Sequence, residues 1–353
     1  MCPAYRQKTW KKDQINGLNH RKRGVILLED LYFKENYCRL YEEIEGGTCE
    51  VFEFENDLGS IRHMFMKREI PVEYKENTYY DLTTPYGYGG PLITHLRDGG
   101  QKEKLVAHFS KAFRAYCAEH NIISEFVRFH PIKENAKDFT SCFDVHFRRH
   151  TTGVTLKGFE DPVQEEFSSS TRKKIRKALR DGVTYRITVN PDNLEQFKEI
   201  YLKTMERIGA DPMYFFNEAY FSNCLKYFGD QLVLVEVLHE SRVIGTELHF
   251  HTGPILHTHL SGSLDEYSHL NPVYVMTYAI ALWAKQQGVE LIHSGGGLTT
   301  ASDDSLYLFK KKFGRNTEFD YYTGYKIWNE EIYQQLAELS KARPAKEFFP
   351  AYR

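Results

Sequence analysis

One lysine stands where a cation could act on a reacting carbonyl. If residues 303–313 form a helix, Leu306, Phe309 and Phe313 recur on its core side at helical spacing, and Lys310 falls one step off that face. A cation at the edge of a cleft could stabilise the negative charge that gathers on an oxyanion or leaving group when an acyl group passes to an amine. The same spacing also suits a solvated helix end, since Lys310, Lys311 and Lys312 run together and cations are favoured at a helix C-terminus.

Ahead of that lysine, Gly295-Gly296-Gly297 follows directly on the apolar run Leu291-Ile292-His293. Three glycines let the backbone approach a ligand closely and turn peptide N–H groups towards it; they would equally serve as a connector. A second small-residue loop, Tyr86-Gly87-Tyr88-Gly89-Gly90-Pro91, carries two aromatic rings that could line a sugar or nucleotide site or plug an interface. Its candidate binding residues are Tyr86, Tyr88, Gly89 and Gly90. A third element is basic: Arg172, Lys173, Lys174, Arg176, Lys177 and Arg180. Arg172 and Arg176 could hold phosphates, although such a run is usually a wet helix face.

The histidines invite a test for metal. His249 and His251 share one strand face, as do His257 and His259 on the next strand. A two-residue turn at Gly253-Pro254 sets residues whose numbers sum to 507 opposite one another, so His249 meets Thr258. The two pairs then point to opposite faces and no four-ligand site forms; a slip of one residue would reverse this. No metal is expected. Glu247, on the face of His249, offers a general base.

These residues need elements to hold them. Val51–Phe54 and Ile61–Met66 read as paired strands, 101–119 as an amphipathic helix and Glu125–Phe129 as a strand ended by Pro131. The second half repeats that grammar. A helix over Arg172–Arg180, capped by Ser168–Thr171 and stopped by Gly182, leads to a strand at Tyr185–Val189 and helices over 194–208 and 217–228. Three strands follow at Gln231–Leu238, Val243–His251 and Ile255–Gly262, then a helix from Pro272 to Gln286 and the strand Leu291–His293. The order predicts a mixed sheet with flanking helices.

Bulk properties narrow the classes. A chain of 353 residues suits about two domains. A formal net charge of -2 gives no global field towards nucleic acid or an anionic membrane, so such contact would need a local patch. Met1–Arg6 runs into cations without an apolar stretch, and the run Val273–Ala284 is far short of the ~20 residues of a membrane span. The six cysteines show no C-x-x-C pair and read as isolated buried thiols in a reducing cytosol. The expectation is a cytoplasmic protein without integral membrane contact, peripheral contact remaining open, and without DNA as a partner.

Three segments resemble the Fem-type (FemABX-like) aminoacyltransferases of peptidoglycan bridges and their BioF2-like relatives, a branch of the GNAT acyltransferase superfamily. They are Asp81–Pro91, Ser170–Ala178 with Gly182-Val183, and Gly295–Gly297 running on to Asp303–Lys310. The likeness spans roughly residues 50–340. It implies an α/β (α+β) fold of two GNAT-like domains, each a mixed, mostly antiparallel sheet with flanking helices, facing each other across a cleft. The boundaries would be 1–160, 161–316 and a C-terminal segment 317–353 returning to the first domain.

By matching position, the resemblance gives Phe309 and Lys310 the family's Phe-Lys pair, with Lys310 in the electrostatic role. It implies an acyltransferase moving an aminoacyl or acyl group from an activated donor to an amine acceptor, such as a cell-envelope or peptidoglycan precursor, without metal, cofactor or covalent intermediate. The alternative is a CoA-dependent N-acetyltransferase acting on a small amine or sugar nucleotide. Acetyl-CoA enzymes hold pyrophosphate on a Gly-rich loop before the central helix. Here that stretch reads Leu264–Pro272, with two carboxylates and no glycine, which favours aminoacyl-tRNA over acyl-CoA as donor. Many Fem enzymes also carry a carboxylate soon after the Gly-Pro of the tyrosine loop; here Leu92-Ile93-Thr94 follows.

Overall fold

The computed structural model describes residues 30–97, 101–340 and 349–353; the readings made on Met1–Arg6 and on Cys2 lie outside them. Two short helices, α1 (Glu35–Arg39) and α2 (Glu42–Glu45), precede β1 (Gly47–Glu55), β2 (Gly59–Glu69), β3 (Tyr80–Thr83) and β4 (Leu92–Leu96). Helix α3 (Lys102–Glu119) leads to β5 (Ile122–Arg128) and β6 (Asp144–Thr155). Next come α4 (Pro162–Glu166), α5 (Ser169–Arg180), β7 (Thr184–Val189), α6 (Glu195–Ile208) and α7 (Glu218–Phe228). Strands β8 (Leu232–His239), β9 (Arg242–Thr252) and β10 (Ile255–Ser263) run into α8 (Pro272–Gln286) and β11 (Leu291–Gly296). The chain closes with α9 (Ser305–Lys311), β12 (Glu318–Ile327) and α10 (Glu330–Leu339).

The twelve strands of the described residues belong to one sheet, in the order β1-β2-β3-β5-β12-β6-β11-β10-β9-β8-β7, with β4 also on β2. Each half of the chain builds the same unit: antiparallel strands, a helix, then a parallel strand. In the first, β3 and β5 are parallel across α3; in the second, β10 and β11 are parallel across α8. The halves exchange their next strands. β6 pairs with β11, and β12 lies between β5 and β6, so the two units share a ladder. The mixed sheet with flanking helices expected from the element order is what forms.

Among the described residues, the three largest cores pack helices on the sheet. An aliphatic one surrounds α8, with Val154, Val235, Leu256, Val275, Ala279 and Ile292. This explains the almost unbroken apolar sequence of that helix. An aromatic one joins α1, α6 and α7 to β9 through Tyr37, Tyr41, Phe197, Tyr220 and Phe250. A third gathers the apolar stripe of α3, Leu105, Phe109 and Phe113, against Phe52 and Trp328. Within it, His63 of β2 meets Glu125 of β5 at 2.5 Å, and the Trp328 indole donates to the same carboxylate at 3.2 Å. The last residue, Arg353, pairs with the buried Asp81.

Register follows the turn chemistry as read from the sequence: Ile255 pairs with Thr252 and Thr258 with His249. A bulge at His259 then shifts the ladder by one, pairing Leu260 with Leu248. Two readings need correction. Cys38, Cys117, Cys142 and Cys224 are buried, but Cys49 is half-buried and not isolated. It adjoins Cys38, whose thiol is pushed far up by its hydrogen bond with Cys49 and by burial. Leu306 is half-buried rather than in the core, because α9 is shorter than the expected 303–313 and rests on the sheet through Phe309 and Phe313.

Candidate functional site

The parallel pair β10–β11 holds only from Ile255↔Leu291 to His257↔His293, yet β10 continues to Ser263 and β11 to Gly296. The two strands therefore part beyond the histidines. Their unpaired backbone edges flank an opening, and the triple glycine lies along one side of it. Gly295 has φ +72°, a left-handed conformation that disfavours any side chain. It coincides with the point where the ladder to β6 slips, between His293 and Gly295.

Asp304 shapes the loop beyond the glycines. Its Oδ2 accepts from the N–H groups of Leu298 (2.9 Å) and Thr299 (2.7 Å), and its Oδ1 from the N–H of Tyr307 (2.9 Å). It is thus the N-cap of α9 and the clasp of residues 298–304 in one. These N–H donors hold its carboxyl well below the usual range. A side chain on Gly297 would collide with Asp304 Oδ1, which is why the clasp needs glycine there.

With α9 so placed, Lys310 turns inward and its Nζ donates to the carbonyl of Gly296 at 2.8 Å. Loss of water pushes the ammonium down to about 8, against the opposing charges of Glu247 and Asp304; Arg149 adds to the depression. Phe309 packs edge-on against Tyr274 and Phe313. Glu247 of β9 is buried; its Oε2 lies 3.2 Å from Nε2 of the fully buried His249.

Tyr88 enters from the first half of the chain. Its ring packs between Tyr32, His130, His293 and Tyr321 at centroid distances of 5.1 to 5.6 Å. A methyl group built on Gly295 would lie 3.7 Å from its hydroxyl and 3.8 Å from Lys310 Nζ. Arg149 of β6 donates to the carbonyl of Gly297. A neutral phenol, an ammonium and a guanidinium from three separate elements therefore surround one glycine segment. They can take up developing negative charge on an atom placed among them.

The other sequence candidates lie apart from this point. Tyr86 packs against Tyr41 and Tyr214. Gly89 and Gly90 form a backbone bridge: the Gly89 N–H donates to the Arg128 carbonyl at 2.7 Å, and a side chain on Gly90, at φ +84°, would strike Val127. Arg172 turns back to the carbonyls of Gln164 in α4 and of Phe167 just before its own helix, while Arg176 is exposed. Lys174 of the same helix reaches the Tyr274 hydroxyl at 3.0 Å. Arg149, Tyr321, Tyr32 and Asp304 are the site residues that sequence reasoning missed. Only Asp304 left a signal, an Asp three residues before Tyr307 at the head of an apolar helix.

Behind Tyr88 sits a buried polar centre. Asp30, His130 and His257 bring one ligand-type atom each within 4.8 Å of one another. His257 Nε2 meets Asp30 Oδ1 at 2.9 Å, and His130 Nε2 lies 3.6 Å from Oδ2. His130 Nδ1 accepts the N–H groups of Ile132 and Lys133, both at 3.2 Å. Its proton therefore belongs on Nε2, the nitrogen a cation would need. The arrangement suits an ionised carboxylate between imidazole donors better than a metal. Burial opposes ionisation of Asp30, but the charges and hydrogen bonds of His257 and His130 prevail and hold it well below the carboxylate range.

Comparison with known proteins places this geometry in context. A family described as acetyltransferase (GNAT) domain matches residues 165–304. A UDP-N-acetylmuramoylpentapeptide-lysine N(6)-alanyltransferase of Weissella viridescens is 25% identical over 175 residues, 49% of this chain and 51% of that protein. The chain thus spans about half the length of the curated relative it matches. Among solved structures, FemX superposes with a TM-score of 0.64 at 13% identity, over 88% of this chain and 95% of that one. The C-terminal domain of a putative lysylphosphatidylglycerol synthetase from Agrobacterium fabrum gives 0.51 at 12% identity, over 87% and 91%. At these identities the structural likeness is one of fold. Among the described residues, no helix is long and apolar enough to cross a membrane.

Proposed function

We propose, from the premise that this is a FemABX-like chain of the GNAT superfamily, that it transfers an aminoacyl group from an activated donor to an amine of a cell-wall precursor. The observation that carries this reading is the convergence of Lys310 and Tyr88 on Gly295, at the opening between β10 and β11. An acyl carbonyl seated there would have its oxygen within reach of the ammonium and the phenol. As the amine attacks and the tetrahedral centre forms, these donors stabilise the oxyanion, and the ammonium then favours departure of the leaving oxygen. Holding donor and acceptor together supplies the remaining advantage. Glu247, buried and able to act on the Lys310 charge, is the group available to take the proton released by the attacking amine.

The activity of the Weissella relative suggests the acceptor, a lysine side chain in a UDP-linked muramoyl pentapeptide. Aminoacyl-tRNA is favoured as donor over acyl-CoA. The turn before α8 ends in Asn271 at φ +55° and Pro272, without a glycine and without a side-chain cap on the helix, a poor receptor for pyrophosphate. The test is incubation of the purified chain with the lysine-containing UDP-muramoyl pentapeptide and alanyl-tRNA or, separately, acetyl-CoA, followed by mass spectrometry of the peptide. A single aminoacyl addition on the lysine amine supports the proposal. Acetylation alone would move the donor to CoA, and an unmodified peptide with both donors would overturn the reading for this acceptor.

A further inference from the structure

Among the fully buried phenols of the aromatic core, Tyr37, Tyr41 and Tyr220 stand where phenylalanine would avoid the cost of burying a hydroxyl. Their hydroxyls form a line. Tyr37 Oη lies 2.9 Å from the Tyr86 carbonyl and 3.3 Å from Tyr41 Oη; Tyr41 Oη lies 3.1 Å from Tyr220 Oη; Tyr220 Oη lies 2.5 Å from His259 Nε2. Burial pushes all three phenols far up, so each keeps its single proton.

The Tyr86 carbonyl can only accept, and the Tyr37 hydroxyl is placed as donor both to it and to Tyr41 Oη, sharing its one proton between them. The Tyr41–Tyr220 and Tyr220–His259 bonds complete the line. The line starts at the bulge of β10, beside the opening between β10 and β11. It crosses α7 and α1 and ends on the first residue of the loop that carries Tyr88. The loop also rests on the same tyrosines by contact. A side chain on Gly87 would strike the ring of Tyr32 and lie 3.1 Å from Tyr37 Oη.

We propose that His259, Tyr220, Tyr41 and Tyr37 form a buried hydrogen-bond chain that positions the 86–90 loop and so holds the Tyr88 hydroxyl over Gly295. They are positioning residues, and the meaning of Tyr88 rests on the function proposed above; the chain itself does not. Each link satisfies a buried donor, so removing one leaves its neighbour unpaired and frees the loop.

Two measurements on the full chain need no substrate. In 15N-histidine NMR, His259, whose burial beside the Tyr220 hydroxyl pushes it down to about 3, should be neutral from pH 5 to 8; a charged imidazole in that range would overturn the buried link to Tyr220. In hydrogen exchange, Tyr37→Phe should speed the amides of Gly87–Gly90 about tenfold, the size of one lost hydrogen bond. The helical amides of α3 should keep their rates. Unchanged exchange in the loop would overturn the positioning role. Should Tyr41→Phe fold poorly, Tyr37→Phe still removes the bonds at the loop end of the chain and leaves the Tyr41–Tyr220–His259 bonds in place.

A third arm uses turnover. If these residues act through Tyr88, the double variant Tyr37→Phe/Tyr88→Phe should lose no more kcat than Tyr88→Phe alone, whereas independent losses would multiply and overturn the link to Tyr88. An inactive wild-type protein in that assay would count against the proposed function, while the histidine NMR and exchange results would still decide the chain.

Discussion

A methyl group on Gly295 would touch both the hydroxyl of Tyr88, at 3.7 Å, and the ammonium of Lys310, at 3.8 Å. The two residues are separated by more than half the chain. They meet because β6 and β12 cross between the halves and lock the tyrosine loop of one unit above the glycine run of the other. Lys310 is further fixed by its bond to the Gly296 carbonyl.

Lys310→Ala should therefore lower turnover by about 10²-fold or more, the cost of losing one oxyanion donor. KM for the acceptor should change little. Steady-state kinetics with the muramoyl peptide checks this, and unchanged turnover would take the lysine out of the mechanism.

The Lys310 ammonium, pushed down to about 8 by loss of water, should set an alkaline limb. Turnover should fall as pH rises through about 8, and that limb should vanish in Lys310→Met. Stability runs the other way. The folded value lies below the ordinary 10.5, so the folded protein sheds this proton before the unfolded chain does. This contribution therefore improves as pH rises from about 8 towards 10.5 and is constant below. Thermal melts of wild type and Lys310→Met across that window would show it.

Asp304→Asn should lower the melting temperature and weaken turnover together, because the carboxylate both caps α9 and closes the loop behind Gly297. Its folded value is depressed, so its stabilisation is present above the ordinary 3.8 and is lost as pH falls below it. If the Asp304→Asn protein kept the wild-type acid limb in its melts, this role would be contradicted.

Arg149→Ala should reduce kcat about tenfold or more with the fold retained, as expected for loss of a charged donor beside the glycine segment. Phe113→Ala is the contrast. It opens a cavity in the core on α3 and should cost about 3–5 kcal/mol of stability while leaving kcat unchanged at temperatures where the protein stays folded. Denaturant titrations paired with rate assays separate the two.

Much of the second half was legible in the sequence. The limits of α8 coincide with the expected ones because Pro272 starts the helix and its apolar run leaves no other element. The β9–β10 register followed from Gly253-Pro254. The helix bearing Lys310 was visible from the spacing of Phe309 and Phe313. Strands β3, β4 and β6 were not foreseen. β6 reads as a polar stretch, Asp144 to Gly153, and becomes a strand because Leu291–Gly296 and Glu318–Tyr325 supply hydrogen-bond partners on either side. Its Arg149 could not be found without them.

Sequence alone determined which segments would be helix or strand wherever periodicity, caps and turn residues agree, since those signals act over a few residues. It also supplied the chemical parts: the lysine, the glycine run and the tyrosine loop. Only the tertiary structure decided that Tyr88 rather than Tyr86 faces Lys310, that Arg172 turns back to carbonyls before its own helix, and that Asp30, His130 and His257 share one buried centre. Those outcomes depend on pairing and packing between residues tens to hundreds of positions apart, which no local pattern encodes.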